Sequence, residues 1–292
     1  MKFLRNTELM LLIGVALSFI VPWPAEKLKI LIVPELILIM TFSLGGLSFP
    51  KLSRKNISYS WKMLLLNFVF YSGILLLSSL LVKNINYKIG FIMMAAAPPA
   101  IMVVPLSKIL GGNMKEAVFS EIACYVVALV YMPAIAYLFL REYVSIISLL
   151  KILFLFIIIP LIFSRFLHRA KIKYDFKEVI NLLFVFGMYI GLALANSHIM
   201  QNPFAIIPLL FIVAIPKFLT GFGIKWLSKL EHIKKQDEIP ALLFSTFKNG
   251  NLVVATCLLL FEPETILPTV MASLIAPFYV FFMLKLFKIT EK

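Results

Sequence analysis

One apolar stretch of the chain, FSTFKNGNLVVATCLLLF from Phe244 to Phe261, contains residues that could bind an ion or a polar molecule. Lys248 supplies a positive charge, Asn249 and Asn251 supply amide donors and acceptors, and Gly250 lies between the two asparagines. A charged side chain near the middle of a bilayer costs about 3 kcal/mol or more, so such a residue is a functional candidate by default. Whether this reasoning applies depends on the elements that surround the stretch.

The composition places those elements in a membrane. The 292 residues are 62% hydrophobic and 14% charged, and a soluble domain could not bury so much apolar surface. A bilayer core about 30 Å thick is crossed by about 20 apolar residues in a helix, and runs of that length recur along the chain. We therefore predict an all-α polytopic membrane protein, embedded in the lipid bilayer, with ten transmembrane helices. The predicted spans are 8–23, 30–49, 61–82, 89–110, 115–140, 147–166, 180–198, 204–226, 240–260 and 266–286.

The basic residues indicate how the spans are oriented. The formal net charge is +14, and 20 of the 28 Lys and Arg residues fall on the side that carries the N-terminus, against 6 on the other side. By the positive-inside rule the richer side is cytoplasmic. We therefore predict a plasma-membrane protein with both termini in the cytoplasm, which does not bind nucleic acid. The remaining two basic residues, Lys217 and Lys248, lie within spans. Lys217 is predicted to snorkel toward the cytoplasmic end near Lys225, with a second charge of the binding site as the alternative, whereas snorkelling of Lys248 would be strained.

The two halves of the chain resemble each other weakly at a spacing of about 146–150 residues. The segment that begins at Phe91 matches the segment that begins at Leu243, for example. Five spans per half is an odd number, so the halves 1–146 and 147–292 are predicted to insert with opposite orientation. Inverted repeats of this kind are typical of secondary transporters.

Two spans at matching positions of the halves are interrupted. Pro98 and Pro99 lack backbone N–H groups and break a helix, while Asn249 and Gly250 are poor helix formers. Irregular backbone at membrane depth is tolerated only where protein buries it or water reaches it. The ends of the resulting half-helices present partial charges that can hold ions and substrates. We therefore predict a binding site at the paired breaks, in preference to helix kinks without function.

The segment APPAIMVVPLSKILGGNMKEAVFSEIACYVVALVYMPAI, which begins at Ala97, resembles the fourth and fifth spans of the bile acid:sodium symporter family. FKNGNLVVATCLLLFEPETILP resembles the ninth span of that family, and MTFSLGGLSFPKL resembles the second. The resemblance implies a panel domain of spans 1, 2, 6 and 7 and a core domain of spans 3–5 and 8–10. It further implies that broken helices 4 and 9 cross in the core. Members of the family are often monomeric, and the resemblance implies transport of organic anions by alternating access, driven by sodium.

The chain departs from that family where the family binds sodium. Val103 and Val104 stand where typical members have a Ser-Asn pair, Phe244 stands at a sodium-ligating Glu, and Lys248 stands at a Gln. Sodium requires several oxygen ligands, as hard cations do, and these side chains supply none. Both sodium sites are therefore predicted to be lost, and no cofactor is expected.

A fixed positive charge could take the place of the missing ion. We hypothesise that the Lys248 ammonium occupies a sodium position and that Glu121, in the span after the first break, is its counter-charge. The alternative is a purely structural ion pair. Thr246, Asn251 and Tyr125 are candidate pocket groups, although each could instead satisfy a neighbouring helix. The predicted site residues are Pro98, Pro99, Glu121, Thr246, Lys248, Asn249, Gly250 and Asn251.

These residues favour a secondary active transporter of a small organic anion, such as a carboxylate, that is sodium-independent or proton-linked. One alternative is a cation/proton antiporter of similar crossover architecture, although such proteins need aspartates and no span contains one. Another is an arsenite-type exporter, which would carry Cys where this chain has proline. An intramembrane enzyme would need paired aspartates or a metal-binding set, so we predict that the protein is not an enzyme. A non-transporting sensor on the same fold stays open.

Overall fold

Helices account for the regular structure, as the composition predicts. The computed structural model describes residues 7–45, 54–169, 177–201 and 203–287. In chain order the helices are α1 (Thr7–Ile20), α2 (Ala25–Leu28), α3 (Ile32–Gly45), α4 (Arg54–Leu64), α5 (Ser72–Ser79), α6 (Ile85–Ala96), α7 (Val103–Leu110), α8 (Met114–Leu140), α9 (Ile146–Leu153), α10 (Ile159–Arg169), α11 (Lys177–Gln201), α12 (Pro203–Leu230), α13 (Lys235–Phe244), α14 (Gly250–Leu260) and α15 (Leu267–Leu286).

Short segments of other helix types join some of these elements. A π-helix, Leu65–Tyr71, joins α4 to α5, and a second π-helix, Phe154–Ile158, joins α9 to α10. The 3-10 turns Lys29–Leu31 and Pro263–Ile266 precede α3 and α15. Single π-turns inside helices often mark functional positions, because they displace backbone carbonyls from the regular ladder.

Six helical segments of the described chain have the length and apolar composition of a membrane span. Five of them match predicted spans 5 to 8 and 10, and Asn56–Ser79 begins earlier and ends sooner than predicted span 3. Predicted spans 4 and 9 are each divided into two shorter helices, and residues 46–49 of predicted span 2 lie outside the described residues. The protein is thus a multi-pass helical membrane protein, while its ten crossings and inverted repeat stay predictions.

One set of helices packs together through small residues and polar contacts. The backbone of Gly14 in α1 packs directly against Val185 in α11, and Gly45 in α3 packs against Leu167 in α10. The Tyr189 hydroxyl of α11 donates to the Val21 carbonyl, 2.7 Å away, just after α1. We name α1, α3, α10 and α11 the first helix group.

The other set surrounds the interior of the chain. The Ser60 and Ser120 hydroxyls join α4 to α8 at 3.0 Å. The rings of Phe68 and Tyr131 lie 4.5 Å apart between centroids, so the π-helix also packs on α8. Gly221 of α12 packs closely against the ring and hydroxyl of a tyrosine in α15. We name α4 to α8 and α12 to α15 the second helix group.

Candidate functional site

Two non-helical segments meet inside the second helix group. Residues 97–102 separate α6 from α7, and residues 245–249 separate α13 from α14. Pro99 and Lys248 form an isolated antiparallel bridge, and the Asn249 N–H donates to the Pro98 carbonyl over 2.8 Å. The predicted breaks therefore cross each other, and the ends of α6, α7, α13 and α14 converge in the protein interior. We name this place the crossing.

The ammonium of Lys248 is enclosed by oxygen atoms at this crossing. Its Nζ contacts the Asn67 carbonyl at 3.0 Å, Asn67 Oδ1 at 2.9 Å and Ser72 Oγ at 2.9 Å. It also contacts the carbonyls of Ala95 at 3.2 Å and Ala97 at 2.9 Å. An ammonium has three N–H donors, so five acceptors saturate it. A buried positive charge is thereby matched by hydrogen bonds rather than by a carboxylate.

The positions of these acceptors follow from local backbone structure. Ala95 and Ala97 lie at the end of α6, where the last carbonyls of a helix have no partner within it and carry negative partial charge. Asn67 lies in the π-helix Leu65–Tyr71, whose shifted ladder turns its carbonyl toward the crossing. The Ser72 hydroxyl lies 3.0 Å from the Asn67 carbonyl and 2.6 Å from the Ala95 carbonyl, so its single proton is shared between the two sources.

Asn67 and Ser72 were not among the residues predicted from the sequence. The amide Nδ2 of Asn67 donates to the Phe244 carbonyl over 2.8 Å, so this side chain joins the π-helix to the end of α13 as well as to Lys248. Both residues are fully buried. An asparagine within an apolar span was the signal available in the sequence, since polar side chains in spans usually bond across helices.

Asn249 organises the other side of the crossing. Its side-chain oxygen accepts from the Leu252 N–H at 3.1 Å and caps α14. Its amide Nδ2 donates to the Tyr125 hydroxyl over 2.7 Å, and that hydroxyl donates to the Pro99 carbonyl over 3.2 Å. The candidate pocket residue Tyr125 therefore fastens α8 to both breaks.

The predicted ion pair between Lys248 and Glu121 is wrong. Glu121 is fully buried, but it is not among the five acceptors of the ammonium. Neither of its carboxyl oxygens accepts a hydrogen bond of normal geometry from the described residues. The backbone group that interacts with it is the Val104 amide at the start of α7. The two charges separate because the lysine turns toward α6 and the π-helix, whereas Glu121 stays beside α7.

The remaining predicted residues lie at the second break in less central roles. The Thr246 hydroxyl donates to the Leu242 carbonyl over 2.7 Å and so serves the end of α13. Gly250 begins α14, where an added Cβ would lie 3.2 Å from the Thr269 methyl group. Asn251 follows in the first turn, and its buried Nδ2 has no partner among the residues that the structure describes.

The prediction that Lys217 snorkels is also wrong. The side chain is buried, with 3% of its surface exposed, and its Nζ lies 3.8 Å from the ring centroid of Phe247. The Tyr279 ring centroid is 5.1 Å away. Aromatic side chains from the second break and from α15 therefore hold this cation inside the protein, before it can reach the membrane surface.

Side chains that could ligate a metal do not gather at the crossing. Val103, Val104 and Phe244, which the resemblance predicted to stand at the positions of sodium ligands, are buried apolar side chains. Among the described residues, no group of three or more His, Cys, Asp or Glu side chains could hold a metal ion. The Lys248 ammonium itself fills a space lined by oxygen atoms.

A multi-pass helical protein with two interrupted helices that cross in its interior has the architecture of a membrane transporter. Residues 7–289 match the model of the SBF-like CPA transporter family. The chain belongs to this family, whose members are transporters and not enzymes. No curated protein matches the chain. The prediction of a transporter related to the bile acid:sodium symporters is thereby confirmed.

Proposed function

We propose that this transporter is a monomeric secondary active carrier. It moves a small organic anion, of the carboxylate class, across the plasma membrane by alternating access, with Lys248 in place of a sodium ion. The observation that carries the proposal is the enclosure of Nζ by five oxygens at the crossing. Hard cations are bound by similar numbers of oxygen atoms. A covalently attached cation would hold the two breaks together without sodium in the medium.

An anionic substrate agrees with the electrostatics of the crossing. The half-helices α7 and α14 both begin there, and helix N-termini carry positive partial charge and free N–H groups. The Asn251 amide in the first turn of α14, which has no partner among the described residues, adds a donor. Together with the Lys248 ammonium, these groups favour a negatively charged molecule over a cation.

The packing of the helices supports a moving core. We propose that the first helix group is the panel domain and that the second helix group is the core domain, with both chain termini in the cytoplasm. One polar contact across their boundary near the crossing is weak, with Asn249 Nδ2 at 3.7 Å from the Met40 sulfur. Such a boundary permits one group to rock against the other.

Reconstituted protein would test this proposal. Full-length protein in liposomes is tested for uptake of radiolabelled carboxylates in sodium-free potassium buffer, with and without a pH gradient. We expect uptake of a carboxylate without sodium, and loss of that uptake in Lys248→Gln. Lys217→Met serves as the matched buried-lysine control and is expected to retain most of the uptake. A strict requirement for a sodium gradient, or unchanged uptake in Lys248→Gln, would contradict the proposal.

A cation/proton antiporter is the second candidate, and the burial of Glu121 is the observation that favours it. A carboxyl group enclosed beside the first break could carry a proton in one half-cycle and a cation in the other. The same liposomes, loaded with a pH-sensitive dye, would separate the candidates. The antiporter would be favoured if an alkali-cation gradient drives proton movement across the liposome membrane and if Glu121→Gln abolishes the resulting change in dye fluorescence.

A further inference from the structure

A histidine and a glutamate join the two helix groups far from the crossing. His198 lies in the last turn of α11, in the first helix group, and Glu264 lies in the 3-10 turn that precedes α15. His198 Nδ1 is 3.1 Å from Glu264 Oε1. Asn86 Nδ2, from the first turn of α6, donates to Glu264 Oε2 over 3.1 Å. The carboxylate therefore binds the imidazole of one group while an amide of its own group orients it.

The location of this contact distinguishes it from the other ion pairs. Lys225 and Glu238 are 3.0 Å apart at the opposite end of the helices, but α12 and α13 both belong to the second helix group. Glu26 and Lys29 pair within one short segment. Among the described residues, the His198–Glu264 pair is the salt bridge that crosses between the groups, at the end that positive-inside counting assigns to the outside.

We propose that His198 and Glu264 form a proton-controlled latch that closes the outer side of the transporter. The proposal rests on the alternating-access function proposed above. Histidine is the side chain whose charge ordinarily changes between pH 5 and 8. A proton on His198 gives the imidazole a positive charge and so adds Coulomb attraction to its contact with the negatively charged Glu264 carboxylate. Acid medium outside therefore favours the outward-closed arrangement, and alkaline medium releases it.

The surroundings suit a sensor rather than a rigid structural tie. The side chains of His198 and Glu264 are 36% and 26% exposed, so protons in the outer medium reach them. The Tyr87 phenol of α6 faces the same carboxylate. Of the elements that pack on α11, α2 carries Glu26, which is bound to Lys29, and α3 carries Glu35, which is buried against Gly187. None of these groups replaces Glu264 as the partner of the imidazole among the described contacts.

Distances between spin labels would test the latch. Cysteines replace Met200 at the end of α11 and Leu81 after α5, both exposed, while the native Cys124 and Cys257 are buried. Double electron–electron resonance on the full chain in nanodiscs then reports the outer separation of the two groups at pH 5.5 and 8. We expect the closed population, relative to the open one, to be about two- to fivefold larger at the lower pH, the range for a partly exposed pair.

Variants separate the latch from other titrating groups. Glu264→Gln and His198→Gln should both lose the pH response, and Glu26→Gln, which removes an exposed pair in the first half of the chain, should keep it. Size-exclusion profiles and melting temperatures show that each variant is folded. A pH response that persists in Glu264→Gln overturns the latch. The distance measurement involves no substrate. A pH-dependent outer distance in a protein that takes up no carboxylate would therefore count against the proposed function alone. Carboxylate uptake by a protein whose outer distance does not respond to pH would count against the latch alone.

Discussion

Two lysines are buried inside the membrane region of this transporter, and the structure treats them differently. Lys248 contacts five oxygen atoms, whereas Lys217 contacts the faces of two aromatic rings. Hydrogen bonds to a charged group contribute about 1.5–3 kcal/mol each, and a desolvated cation–π contact contributes about 2 kcal/mol. The surroundings of Lys248 therefore offset the several kcal/mol that burial of an ion costs much more fully than those of Lys217.

The role of a charged residue in a span therefore depends on the groups that contact it. The oxygen atoms around Lys248 come from the end of α6, from a π-helix and from the first residue of α5, and such a lining of oxygen atoms also suits a free cation. The ammonium of Lys217 instead lies against aromatic rings, while the methylene groups of its side chain pack as an apolar stem. We therefore assign the ion-like role to Lys248 alone, and the following predictions, from the largest effect to the smallest, test that assignment.

Lys248→Met should destabilise the protein by about 3–5 kcal/mol, because it removes one partner from a buried network and leaves carbonyls without donors. Lys217→Met should cost about 1 kcal/mol or less, since an apolar side chain of similar length replaces a cation that has no oxygen acceptor among the described residues. Chemical unfolding in detergent with matched protein concentrations measures both. Equal losses in the two variants would remove the distinction between the two lysines.

Lys248→Ala should acquire a response to sodium. The substitution empties an oxygen-lined space, and an ion that binds only the folded state stabilises it by about 2.7 kcal/mol at a hundred times its Kd. We expect the melting temperature of this variant to be higher in sodium chloride than in potassium chloride at equal ionic strength. The unsubstituted protein and Lys217→Ala should show no difference between the salts, and a sodium effect in either would mean that sodium binds elsewhere.

Asn67→Leu should lower stability by about 2–3 kcal/mol, because it removes an acceptor from Lys248 and leaves the Phe244 carbonyl without its donor. Ser72→Ala removes a single acceptor and should cost about 1 kcal/mol. Thermal unfolding measures the two losses, and a double variant with Lys248→Met shows whether they act through the ammonium. Additive losses in that double variant would contradict a shared network.

Gly221→Ala probes the packing beside Lys217 and should cost about 1–2 kcal/mol. An added Cβ would lie 2.4 Å from the Tyr279 hydroxyl and 3.2 Å from Cζ of the same ring, which is fully buried. Gly223→Ala, two residues further along α12, meets nothing within 4 Å and should stabilise the helix by about 0.5–1 kcal/mol. Melting temperatures of the pair test this, and the same sign for both would refute it.

Much of the fold could be predicted because it depends on local residue properties. The apolar runs predict helices in a membrane, and Pro98, Pro99, Asn249 and Gly250 lie where the helices are interrupted, since each of these residues disfavours a helix through its own backbone. The number of crossings and the inverted repeat stay predictions. The partners in the site were predicted poorly: Glu121 does not pair with Lys248, and Asn67 and Ser72 were missed.

The class of protein and the places where two helices break, with a lysine beside the second break, can be read from the residues themselves. The contacts of that lysine depend on the folded chain, because its acceptors lie 151 to 181 residues away in the sequence. Helix breaking depends on backbone chemistry at one residue, which a sequence displays directly. The partners of a buried charge depend on how α4 to α6 pack against α13, and that packing is the sum of many small contacts between segments remote in sequence.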